Sequence, residues 1–183
     1  MSRNGTRLIG FVLAVAALLA GVYLGQQGPQ PQPQGSATLA TENIDALFAS
    51  TLRDASGKAQ ALAQWRGKTL VVNFWASWCP PCREEMPGFS RLQEKHAANG
   101  VQFVGIALDS EENVKAFAGE FPVAYPLLLG GETGTDLARR LGNARLALPY
   151  TVLLGPAGET RWIRAGGLAE RELDALLQQA SRR

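Results

Sequence analysis

Residues 68–82 read KTLVVNFWASWCPPC, and no other stretch limits the possible folds as much. Lys68 to Trp75 is apolar and rich in β-branched residues, the pattern of a central strand buried on both faces. Pro80 to Ala98 follows, with Cys82, Met86, Phe89 and Leu92 spaced by three and four, which predicts a helix with one apolar face. A doubly buried strand that turns directly into a helix needs layers of helix over sheet.

The remaining pattern agrees. Val101 to Leu108 reads as a second buried strand after a left-handed stop at Asn99-Gly100. Asp109 with Glu112 resembles a capping box opening a helix that carries Val114, Phe117 and Phe121. A short helix is expected at Asp136 to Leu141, and strands at Tyr150 to Leu154 and Glu159 to Ala165 flank the turn 155–158. A last helix, Ala169 to Ala180, would bury Leu173, Leu176 and Leu177. Leu47 to Arg53 and Gln60 to Leu62, on either side of 54–57, look like an added hairpin. The fold class is therefore α/β, a central mixed β-sheet flanked by helices.

The chain's only two cysteines, Cys79 and Cys82, stand where the strand gives way to the helix. A helix N-terminus presents unpaired N–H groups and roughly half a positive charge, which favours a thiolate at Cys79. Pro80 and Pro81 suit the first turn, where no N–H partner is needed. Cys82, one turn in, should face the core while Cys79 faces solvent. That asymmetry suits thiol–disulfide exchange: Cys79 attacks, and Cys82 displaces the mixed disulfide. A zinc site is a poor fit, since there is no second CxxC and His96 is the only histidine. A disulfide closing so short a loop would constrain little of the unfolded chain. No metal and no cofactor is expected, and a net charge of +2 does not suggest nucleic acid as a partner.

Ahead of the domain, Leu8 to Gly25 is uncharged and long enough to cross most of a bilayer's hydrocarbon core, with Arg3 and Arg7 before it. Residues 1–25 are read as an N-terminal signal anchor, a transmembrane helix whose N-terminus stays cytoplasmic; a cleaved signal peptide is the alternative. Residues 26–37, rich in Pro and Gln, read as an extended linker, leaving 38–183 as the folded domain.

The stretches VVNFWASWCPPCREEMP and LPYTVLLGPAGE resemble the thioredoxin-like TlpA/ResA/CcmG group, membrane-anchored thiol–disulfide oxidoreductases of bacterial envelopes. The resemblance runs in element order from Ala37 to the C-terminus. It implies a thioredoxin-like fold with an N-terminal β-hairpin and an inserted strand–helix. It implies that Pro149 is cis beside Cys79, and that the backbone of Leu148 pairs with substrate. Tyr150 departs from the usual Thr or small residue after that proline. The substrate groove would then comprise Trp78, Pro80, Pro81, Leu148, Pro149 and Tyr150. The domain would lie in the periplasm as a monomer on a single-pass inner-membrane anchor. Electrons would come from a DsbD- or CcdA-type thiol transporter and pass to apocytochrome c or another envelope protein disulfide.

Glu85 lies one turn after Cys82, and the group carries an acid here that shuttles protons. A partly buried carboxylate near two thiols has a raised pKa and can act as acid or base. Asn73 stands where many thioredoxins have a buried Asp and cannot titrate, which shifts that task to Glu85 or water. Trp75 is read as core and His96 as a half-buried surface residue far from the thiols. Pro81 before the second cysteine, where strong oxidants carry His, points to a reductase. A DsbA-like oxidase is the main alternative. A peroxidase lacks its Thr-x-x-Cys nucleophile, because Ala76 stands three residues before Cys79, and a metal or haem chaperone lacks its ligands.

Overall fold

A computed structural model of the protein describes residues 38–180. The expected anchor (1–25) and linker (26–37) lie outside the described residues. Among the described residues no helix is long and apolar enough to cross a membrane.

One seven-stranded sheet organises the domain. Its strands are β1 (Thr51–Asp54), β2 (Ala59–Ala61), β3 (Thr69–Trp75), β4 (Val101–Ala107), β5 (Leu127–Leu129), β6 (Tyr150–Leu154) and β7 (Thr160–Ala165). In space they run β2-β1-β5-β4-β3-β6-β7. β3, β4 and β5 are parallel, and the other pairings are antiparallel. The helices are α1 (Thr41–Ala49), α2 (Pro80–His96), α3 (Glu111–Glu120), α4 (Gly131–Arg140) and α5 (Glu170–Ala180).

All seven residues of β3 are buried, as a strand covered on both faces must be. Period-two alternation sends Val71, Asn73 and Trp75 toward α2, α3 and α5, and Leu70, Val72 and Phe74 toward α1 and α4. Two cores result, one on each face of the sheet. At Gly105 on β4 an added Cβ would lie 2.8 Å from Leu127 Cδ2 and 3.1 Å from Trp75 Nε1, so the strand passes there without a side chain.

The expected mixed sheet, the hairpin and the inserted strand–helix (β5 and α4) are present. Three local expectations are corrected, and one strand is placed that no local pattern marked. Residues 47–49 end helix α1 rather than beginning a strand, because Ile44, Leu47 and Phe48 share one helical face buried against the sheet. Strand β5, three residues long, carries too short a pattern to stand out. Helix α4 begins at Gly131, ahead of the expected Asp136. Ser110, not Asp109, caps α3, accepting from Asn113 N at 3.2 Å.

Candidate active site

Cys79 is the residue just before α2, with φ −93° and ψ 105°. Its carbonyl accepts from Arg83 N at 3.2 Å, the first bond of the helix, and its own N–H donates to Ala76 O. Pro80 and Pro81 fill the first turn without sacrificing a bond. Pro87 lies inside the same helix, which runs unbroken to His96. Cys79 and Cys82 are joined as a disulfide, their Cα atoms 5.3 Å apart.

The expectation of a solvent-facing Cys79 is corrected: it is 4% exposed and Cys82 0%. In the oxidised pair its sulfur is bonded inward to Cys82, within the apolar cluster of Trp75, Ala76 and Leu168 that Leu148 packs against. Trp78, by contrast, is 66% exposed, and Pro80 and Pro81 are exposed beside it.

The Leu148–Pro149 bond is cis, with Pro149 buried and Leu148 half-buried. Tyr150 does not join them at a groove. Successive strand residues face opposite ways, so Tyr150 turns into the other core beside Phe74 and donates its hydroxyl to Leu141 O at 2.8 Å. Gly166 N donates to Pro149 O at 2.8 Å and Leu168 N to Glu85 Oε2 at 2.9 Å, so the segment after β7 ties the cis-proline turn to α2.

Glu85 is buried, and Asn73 Nδ2 donates to its Oε1 at 2.9 Å. Burial pushes its carboxyl up to about 7, against the opposing pull of the Leu168 and Asn73 hydrogen bonds. It forms one wall of a surface pocket of about 270 Å³ bordered by Pro81, Gly88 and Gly167, while Glu84 is exposed as expected. A buried acid that is half ionised near neutrality, one turn from a cysteine, can take up or release a proton there.

Two clusters were not legible in the sequence. Asp109 Oδ2 accepts from Ser77 N (2.8 Å) and Ser77 Oγ (2.6 Å), bracing the turn that delivers Cys79. Burial acts to raise the Asp109 carboxyl, yet the hydrogen bonds from Ser77, Asn113 and Ser110 hold it below its ordinary value. Tyr125 is buried in the same core as the cysteines, its hydroxyl without a partner, and burial together with the Glu85 charge raises its pKa. His96 also differs from expectation. It is 4% exposed, because α5 covers it and Asp174 Oδ1 lies 2.7 Å from its Nε2.

The family model described as Redoxin matches residues 36–177, most of the chain. The chain belongs to the Redoxin family. This Redoxin-family protein is 31% identical to "Thioredoxin-like protein YneN" of Bacillus subtilis over 69% of its length and 74% of that protein's. It is 27% identical to "Thiol-disulfide oxidoreductase ResA" of Halalkalibacterium halodurans, covering 69% and 70% of the two chains. Among solved structures, a thiol:disulfide interchange protein of Chlorobium tepidum superposes with a TM-score of 0.63 at 25% identity, covering 83% of this chain and 99% of that one. The fold is thus thioredoxin-like, and with the cysteine pair at its strand–helix junction the Redoxin-family chain is a thiol–disulfide oxidoreductase.

Proposed function

We propose that the protein reduces disulfides in exported proteins through the Cys79–Cys82 dithiol. The observation that carries this reading is the pairing of an N-terminal helix cysteine with a buried acid one turn beyond its partner. The helix end stabilises the Cys79 thiolate. That thiolate attacks one sulfur of a substrate disulfide, and the other sulfur leaves as a thiolate. Cys82 then gives its proton to Glu85 and attacks the Cys79 sulfur of the mixed disulfide. The second substrate thiolate departs and collects a proton from the carboxyl. Two electrons pass to the substrate, and the enzyme is left as the disulfide seen here.

Exposed Trp78 and the turn at Leu148 and Pro149 offer the docking rim, Trp78 by its 66% exposed ring. The resemblance to the ResA group supports an anchored periplasmic domain fed by a DsbD- or CcdA-type transporter, with apocytochrome c among its acceptors. Pro81 before Cys82 supplies no cation to over-stabilise the reduced thiolate, which favours the reducing direction.

Equilibration with glutathione redox buffers tests the direction. A potential below roughly −200 mV is expected, and one near −120 mV, the range of strong oxidants, would make the protein a disulfide donor instead.

A further inference from the structure

Asn73 is 1% exposed, at the centre of β3. Its Nδ2 donates to Glu85 Oε1 at 2.9 Å and to Thr151 Oγ1 at 3.0 Å, while its Oδ1 is buried with no partner. This arrangement fits an ionised Glu85, which can only accept. When Glu85 gains a proton, an amide N–H facing a carboxyl O–H on that oxygen becomes a poor match.

We propose that Asn73 is a positioning residue that serves both protonation states of Glu85. Its amide donates Nδ2–H to the carboxylate. After a half-turn about its terminal bond, it accepts with Oδ1 from the carboxylic acid. Three features carry this. Oδ1 has no partner on its far side, so a half-turn of the amide exchanges only the two Nδ2 bonds and breaks none at Oδ1. Thr151, the second neighbour, is a hydroxyl that accepts from Nδ2 in one state and donates to Oδ1 in the other. The Leu168 amide holds Oε2, which leaves Oε1, on the Asn73 side, for the exchangeable proton. An Asp in this place would set a second carboxylate against Glu85, and an apolar residue would leave Oε1 without a partner.

On α2, Cys82 stands one turn before Glu85 and Cys79 two turns before it, ionisable only when reduced, and Tyr125 from the segment before β5 couples to its charge. Glu84, Arg91 and Glu170 lie around the outer pocket. From β3 and β6 the contacts are the neutral Asn73 and Thr151.

The inference rests on the proton-carrying role of Glu85, and the test separates the two. Full-length protein in detergent is labelled with 15N-asparagine, and the Asn73 side-chain amide signals are followed between pH 5 and 9. The rate at which the pre-reduced protein reduces oxidised glutathione is measured across the same range. The Asn73 signals should titrate once, with the midpoint of a step in the rate profile, and should be static in Glu85→Gln. Asn73→Leu should raise the rate midpoint by roughly half a pH unit or more, because of the two bonds it removes the one to the charged carboxylate is the stronger. That shift should vanish in the Glu85→Gln background. If Glu85→Gln leaves the rate profile as in wild type, the Glu85 reading fails and this inference with it. If Glu85→Gln removes the step but the wild-type Asn73 signals stay fixed across pH, the inference alone is overturned. That last observation needs no substitution at Asn73, so a misfolded Asn73→Leu does not protect the proposal.

Discussion

Asp109, two residues past β4, holds Ser77 through two hydrogen bonds to one carboxylate oxygen, at 2.8 Å from the backbone N–H and 2.6 Å from the hydroxyl. Ser77 is two residues before Cys79, so the parallel neighbour of β3 braces the turn that aims the cysteine. Asp109→Ala removes that brace and leaves a part-buried amide without its acceptor. A loss of about 1–3 kcal/mol is expected in urea unfolding, with slower exchange at Cys79. The sign of the pH dependence follows from the lowered carboxyl. Its contribution is present above the unfolded carboxylate value and is lost as pH falls through the folded one. The wild-type advantage over Asp109→Ala should therefore shrink in acid.

Glu85 has the opposite sign. Its folded value, raised from 4.5 to about 7, means the native state binds the extra proton between those limits. Stability of the oxidised protein is full below the unfolded value and falls as pH rises through about 7, by about 3 kcal/mol in all. Unfolding of wild type and Glu85→Gln at pH 4 and pH 8 checks this. The difference between the two proteins should move in favour of Gln as pH rises, and a constant difference would refute it.

Tyr150→Phe separates structure from recognition. The change deletes the hydrogen bond to Leu141 O inside the second core and should cost about 1 kcal/mol. Its KM and kcat toward a protein disulfide such as insulin should stay at wild-type values, because the ring lies on the far face of the sheet from the cysteines. Trp78→Ala is the counterpart, expected to raise KM while leaving stability nearly unchanged, since the side chain is 66% exposed.

Gly130 sits where β5 passes into α4. A Cβ there would come within 2.5 Å of Ala107 O, a backbone atom that already accepts from Gly130 N. Gly130→Ala is expected to lower stability by about 1–3 kcal/mol through overpacking. Gly57→Ala, where nothing lies within 4 Å, tests the separate cost of a left-handed backbone at φ +88°.

Contacts between residues close in sequence were the legible ones. The all-apolar run of β3, the helix spacing after Cys82 and the proline-filled first turn are local properties, and they placed both cysteines at the strand–helix junction. They also placed Glu85 one turn beyond Cys82. The three-residue β5 carries too little pattern to be told from a loop, and the end of α1 was read as strand because only Ser50 separates it from β1.

What the sequence alone determined is the chemistry: two thiols at a helix end, an acid on the same helix and a proline ahead of a later strand, because each depends on spacing within one element. Which environment each group meets was decided by tertiary packing. Only the folded sheet brings Asp109 to Ser77, Leu168 and Asn73 to Glu85 and Asp174 to His96, across separations of 12 to 83 residues. It also seals Cys79 and turns Tyr150 away. The reason is physical: burial and hydrogen-bond partners set a side chain's charge and reach, and both come from neighbours that chain order does not make adjacent.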